Sequence, residues 1–395
     1  MDTLEKIWNF ILGNKTLAFL LVLFGLFLTI YYGKKKVTLD DKSIVKIVER
    51  IKSIPPAEAS ESLKEEVRTA EERLTNPQTA ADFFLKGYAA HIENHYETAI
   101  KYYTKAIELN PNFAATYNNM GNVYSDLDNY EEAIKYYEKA IELDFNDALP
   151  YNGMGNVYRR KGNYKEAIKY YEKSIKLKSD YAHAYNGMGN AYGDLGDYNK
   201  AFKCYEKSIE LNPDFAMAYD NMGITYNAKG DYDKAIECHK KVIELNPNFM
   251  EAYHNMGVAY KNKGNYDKAI EYHGKAIELN PNFADAYCYM GSEYLLKGDY
   301  DKAIECHGKA IEIEPNFAGA YNNMGNVYRE KGNYNKAIEC YDKAIELEPN
   351  FALAYENMGV LYKKLAKERK ANECFAKANK IQKKQEEAIT QKTNN

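Results

Sequence analysis

Tryptophan and proline are scarce in this 395-residue chain, with one Trp and ten Pro. Cysteine is nearly so, at six residues, and no two of them form a CxxC pair. The spacing that holds a structural zinc ion is therefore missing, and no metal is expected. Positive charge is not in surplus either: 53 Lys and Arg face 57 Asp and Glu, for a net charge of −4. A nucleic-acid partner needs a dense basic surface, so none is expected. Neither G-x-S-x-G, GxxxxGK[ST] nor HExxH occurs. The nucleophile elbow, the phosphate loop and the zincin helix are thereby excluded, so we expect no enzyme activity and no cofactor. Long apolar runs are equally rare, and a single uncharged one stands out, Leu17 to Tyr32.

What fills the chain instead is a repeat. Gly121, Gly155, Gly189, Gly223, Gly257, Gly291, Gly325 and Gly359 follow one another at intervals of 34 residues with no insertion. In the unit from Ala318 to Phe351, Tyr321, Met324, Val327 and Tyr328 recur at three- and four-residue spacing and share one helix face. Gly332 closes that helix, because a left-handed residue after a helix suits glycine best. Ala337, Ile338, Tyr341, Ala344, Ile345 and Leu347 mark a second apolar stripe that stops before Pro349. Neither helix can bury its stripe alone, so stacked neighbours must share one core.

The pattern Tyr321-x2-Met324-Gly325-x2-Tyr328, then Ala337-x3-Tyr341, then Pro349, resembles the tetratricopeptide repeat, with Tyr for Trp and Met for Leu. The resemblance implies an all-α, right-handed superhelical solenoid of helix–turn–helix units that binds other proteins. Nine units are expected: 80–113, 114–147, 148–181, 182–215, 216–249, 250–283, 284–317, 318–351 and 352–385, then a polar tail, 386–395. The first and last depart most from the pattern, as capping units with one wet face do.

The cysteines follow the repeat. Cys204, Cys238, Cys306, Cys340 and Cys374 take the same place in five second helices, and Cys288 lies in a first helix. Equivalent positions in stacked repeats sit roughly 10 Å apart, beyond the reach of a disulfide. Cys238-His239 and Cys306-His307 look like ligand pairs, yet adjacent helical residues diverge by about 100°. His239, His273 and His307 stand where other repeats have Tyr205 and Tyr341, which points to packing.

Ahead of the repeats, residues 1–15 form a short segment and 16–33 an uncharged stretch followed by Lys34, Lys35 and Lys36. As a helix it would be about 27 Å long, enough for a thinned bilayer. It lacks the basic start and small-residue cleavage site of a signal peptide. We expect an uncleaved single-pass anchor, with the repeats on the cytoplasmic side where the lysines fall. Residues 34–79 then read as a charged helical connector. Ile44, Val48 and Ile51 share one face of its first helix, Pro55-Pro56 ends that helix, and Asn76-Pro77 ends a second. The connector is either a spacer or a short oligomerisation (coiled-coil) or membrane-surface helix.

By resemblance, repeat positions 2, 5, 9, 12 and 13 of the first helix face the ligand groove, with position 6 beside them. Asn recurs there: Asn118, Asn119, Asn122, Asn152, Asn156, Asn186, Asn190, Asn221, Asn255, Asn322, Asn323 and Asn326. Asparagine is a mediocre helix former, so its recurrence has a cause. An amide carries a donor and an acceptor and can pair with peptide groups whatever their side chains. The arrangement is similar to the Asn ladder in the superhelix of O-linked N-acetylglucosamine transferase. The other reading is a duplicated consensus whose Asn bond to neighbouring repeats. Arg159 and Arg329 join the same face, and Ile224, Val258, Leu295 and Leu296 form an apolar island on it. No repeat pairs Lys at position 5 with Asn at 9, so the family's carboxylate clamp is not expected. The function that follows is a membrane-tethered scaffold holding an extended peptide or partner protein in the groove. The alternatives are a self-assembling coat, or the non-catalytic subunit of a membrane enzyme or of a secretion or pilus complex.

Overall fold

A computed structural model describes residues 41–394, in which all regular structure is helical: twenty α-helices, one 3-10 turn and no strand. The chain is an all-α repeat solenoid. The anticipated anchor at 16–33 and the segment before it lie outside the described residues. Among the described residues, no helix is long and apolar enough to cross a membrane.

Helices α1 (Asp41–Ile51) and α2 (Glu61–Arg73) precede nine helix pairs, which run from α3 (Ala80–Ile92) and α4 (Tyr96–Leu109) to α19 (Ala352–Lys364) and α20 (Glu368–Asn394). Local chemistry sets the ends. Gly162, Gly196, Gly230, Gly264, Gly298 and Gly332 follow first helices with φ between 77° and 87°. Asn94, Asp128 and Ala366 hold that left-handed conformation in the three remaining turns. Asn and Asp tolerate it, whereas for Ala it costs about 1–2 kcal/mol. Each following helix is N-capped where Asn or Asp is present: the side chain of Asn333, for one, accepts from the backbone N–H of Lys336. Most of these helices stop just before proline, as at Asn246, extended ahead of Pro247; Phe145 and Ser179 stand in its place after two of them.

The two helices of a pair cross where the small residue of the pattern sits. A methyl group added at Gly325 would lie 2.6 Å from Tyr341 Cε1, and one at Gly121 equally close to Tyr137. Glycine is required here for approach, since a Cβ would force the axes apart.

The described residues divide into two compact units, one up to residue 157 and one from residue 158 on. In the first, α1 and α2 do not project from the repeats. Ile44, Val48, Ile51, Leu63, Val67 and Ala70 are buried in one core with Phe84, Leu85 and Tyr88 of the first repeat. Tyr88 Oη also donates to the carbonyl of Ile54 at 2.8 Å. The face of α1 that carries Ile44, Val48 and Ile51 is thus occupied as a lid on the first repeat. In the second unit, successive turns are linked by Lys263–Asp233, Lys297–Asp267 and Lys331–Asp301, a surface ion pair repeated in register.

Candidate functional site

Positions 2, 5, 9 and 12 of a first helix are three or four residues apart, so one face gathers them. In residues 158–395 that face carries a row of side-chain bonds between repeats. Asn221 Nδ2 donates to Asn186 Oδ1 at 3.0 Å, Asn255 Nδ2 to Asp220 Oδ1 at 3.1 Å, and Asn357 Nδ2 to Asn322 Oδ1 at 2.9 Å. Asn323 Nδ2 reaches Cys288 Sγ at 3.4 Å. Each rung joins position 6 of one repeat to position 5 of the repeat before it. The position-9 amides answer to the second helix of their own repeat: Tyr205 Oη donates to Asn190 Oδ1 at 2.9 Å and Tyr341 Oη to Asn326 Oδ1 at 2.8 Å.

In the first unit Tyr137 Oη likewise donates to Asn122 Oδ1 at 2.7 Å. Asn119 turns back on its own helix and donates to the Ala115 carbonyl at 3.0 Å, because Phe84 stands where a partner amide would be. Asn118 is buried with neither amide atom paired to protein. Position 6 of the next repeat is Gly153, and a Cβ there would lie 2.5 Å from the Tyr137 ring. The tyrosine takes the space a rung would use. Asn152 and Asn322 are buried as well, whereas Asn156, Asn186, Asn190, Asn221, Asn255, Asn323 and Asn326 are half-buried. Arg329 Nε donates to Glu330 Oε1 at 3.1 Å.

Models of the tetratricopeptide repeat match residues 112–180, 146–214, 204–237, 251–283 and 274–305, and the TPR repeat model matches 87–128, 225–264, 291–328 and 325–365. The chain belongs to the tetratricopeptide-repeat family. No curated protein matches it. Among solved structures it is similar to the hetero-tetramer Cut9–Hcn1 of APC/C, at 18% identity and a TM-score of 0.56. That match covers 82% of this chain and 63% of the other, and it shares the fold. MamA aligns at 33% identity over 42% of this chain and 97% of its own, with a TM-score of 0.37. YrrB, described as a TPR protein with an unusual peptide-binding site, aligns at 34% identity over 47% and 95%, with a TM-score of 0.36.

Three adjacent tetratricopeptide repeats lack the tyrosine, and two residues of the apolar island, Ile224 and Val258, go with that change. His239, His273 and His307 replace the tyrosine, and position 9 of those repeats is Ile224, Val258 and Ser292. Phe375 replaces it in the last repeat, where position 9 is Val360. An Asn at position 9 is held by a phenol hydroxyl. Where the ring offers none, the position turns aliphatic or small. The first repeat shows the reverse case: Tyr103 has Tyr88 opposite instead of Asn, and its buried hydroxyl has no partner. This correlation between position 9 and the Tyr205/His239 position of the second helix is visible in the sequence and links Ile224 and Val258 to the core behind them.

The histidines find other partners. His239 Nδ1 lies 3.0 Å from Asp220 Oδ1, and His273 Nδ1 lies 3.1 Å from Glu293 Oε2 with both side chains fully buried. His254 packs edge-on to Tyr289 and beside His273, and burial lowers its pKa to about 3. His307 is paired at neither nitrogen, and burial lowers it to about 4. Among the described residues no three His, Cys, Asp or Glu gather to hold a metal ion. All six cysteines are free thiols, and burial raises Cys238 and Cys306 to about 12. Thiols held so far above neutrality are poor nucleophiles.

Proposed function

We propose that this tetratricopeptide-repeat protein is a scaffold that holds an extended segment of a partner protein along the first-helix face of residues 158–385. The observation that supports it is apolar surface that folding leaves unburied there. Met217, Ile224, Leu296, Leu353 and Val360 are between 45% and 55% exposed, and they occupy positions 2, 9 and 13. Val258 and Leu295 are half-buried between them. A row of exposed aliphatic groups flanked by amides suits a segment that inserts side chains and pairs its backbone at the edges. The Asn rungs contribute by fixing the pitch of that row, while their unbonded atoms remain for the segment.

The reading includes a single-pass anchor at 16–33 with the repeats on the cytoplasmic side, supported by the uncharged run and the three lysines after it. A photo-crosslinking residue placed at Ile224 or Leu296 of the full chain, in membranes of the source cell, tests the face. Capture of one partner segment from these positions, and not from Lys241 on a second helix, is the expected result. Capture from Lys241 alone would move the site to the opposite surface.

A further inference from the structure

Position 12 of the first helix is Arg159, Asn227, Lys261, Leu295, Arg329 and Lys363 in repeats of the second unit, but Gly193 in the repeat 182–215. Nothing in the packing requires that glycine. An added Cβ would meet Thr225 Oγ1 at 3.6 Å and Tyr205 Oη at 3.7 Å, which are ordinary contacts. Within a helix, Gly is about 0.5–1 kcal/mol worse than Ala. What the missing side chain leaves is a cavity of about 270 Å³ on the first-helix face. That is below the roughly 300–1,000 Å³ of small-molecule sites and suits one side chain.

The lining is specific. Arg159 Nη1 donates to Asp194 Oδ2 at 3.0 Å, so the one cation and the one anion of the wall already neutralise each other. Arg159 Nε is buried without a partner. Asn190 accepts from Tyr205 through Oδ1, which leaves its Nδ2 hydrogens for an occupant. Asn221 donates to Asn186 through Nδ2, which leaves its Oδ1 as an acceptor. Ile224 stands exposed at the rim.

We propose that this cavity is a subsite for a carboxamide side chain, Gln or Asn, of the segment held on the face; it rests on the reading of that face as a binding surface. A carboxamide brings one acceptor for Asn190 and Arg159 and one donor for Asn221 and Asp194, and no net charge. A carboxylate would meet Asp194 and an ammonium would meet Arg159, each a like charge at short range. An aliphatic group would strip water from Asn190 and Asn221 and return no hydrogen bond, which is the strongest form of discrimination a polar site has. Ile224 beside the opening selects an apolar neighbour in the segment.

Random nonapeptides displayed on phage, selected in parallel on the full chain and on its Gly193→Leu and Gly193→Ala variants, test this. The Leu variant copies a residue that position 12 already carries at Leu295. The wild-type chain is expected to enrich peptides with Gln or Asn at one fixed position beside an apolar residue. Exchange of that residue for Glu, Lys or Leu should weaken binding about tenfold or more. The Leu variant should still select peptides but lose the carboxamide preference. The Ala variant, with less of the space filled, should keep part of it. Peptides that bind the face with no carboxamide preference, or a preference that survives Gly193→Leu, would overturn the subsite and leave the binding face standing. No enrichment on any of the three would overturn both.

Discussion

The hydroxyl of Tyr341 donates to Oδ1 of Asn326 across 2.8 Å, from the second helix of one repeat to the outer face of its first. The core aromatic and the surface amide are one unit, so a change in either is felt by the other. Tyr341→Phe should lower stability by about 1 kcal/mol and leave Asn326 free to rotate. Chemical denaturation gives the first effect, and the Asn326 side-chain amide signals in nitrogen-resolved NMR give the second. Unchanged amide signals would mean that the bond does not hold the side chain.

Two glycines in first helices should respond with opposite signs. Gly325→Ala drives a methyl group into the Tyr341 ring at 2.6 Å and should destabilise by about 1–3 kcal/mol. Gly193→Ala meets nothing closer than 3.6 Å and should stabilise by about 0.5–1 kcal/mol through helix propensity. Thermal melts of the two variants side by side decide it.

The rung at Asp220 carries more than its neighbours. Asp220 is buried, faces His239 Nδ1 and receives Asn255 Nδ2. Asn255→Ala should cost about 1–3 kcal/mol, because a buried carboxylate loses a donor. The neutral rung removed by Asn221→Ala should cost about 0.5–1.5 kcal/mol. Equal losses in urea titrations would argue that Asp220 is solvated.

Acid should weaken the middle repeats. His307 is neutral when folded, with a pKa lowered from 6.5 to about 4 by burial. Below about pH 6.5 the unfolded chain takes up a proton that the folded chain refuses, so stability falls as pH falls toward 4. The loss between pH 7.5 and 5 from this group is roughly 2 kcal/mol. His254, lowered to about 3, acts in the same direction. His307→Tyr restores the ring of the other repeats and should remove the His307 share. Denaturation midpoints of wild type and variant at both pH values measure it, and identical pH dependence would exclude the mechanism.

The repeat was legible because its signals are local. Gly332 takes φ 81° for reasons contained in one turn, and Gly325 is small because one ring lies over it. The side-chain pairing along the first helices was less so. Asn119 and Asn221 occupy the same position of the repeat, yet one bonds its own helix and the other a neighbouring repeat. The difference is set by Phe84 and Asn186, each 35 residues away, and a helical pattern within one unit holds no trace of it. The connector shows the same limit. Its charged sequence reads as a spacer, because the apolar triad Ile44, Val48 and Ile51 does not announce that its partner is the first repeat.

That lid decides where the protein can be cut. A chain that began at Asp41 would keep Phe84, Leu85 and Tyr88 covered. Loss of residues 41–76, with α1 and α2, would instead bare those three side chains as an exposed apolar end. The two truncations would therefore differ by residues 41–76, the first keeping the core of the first repeat closed and the second opening it.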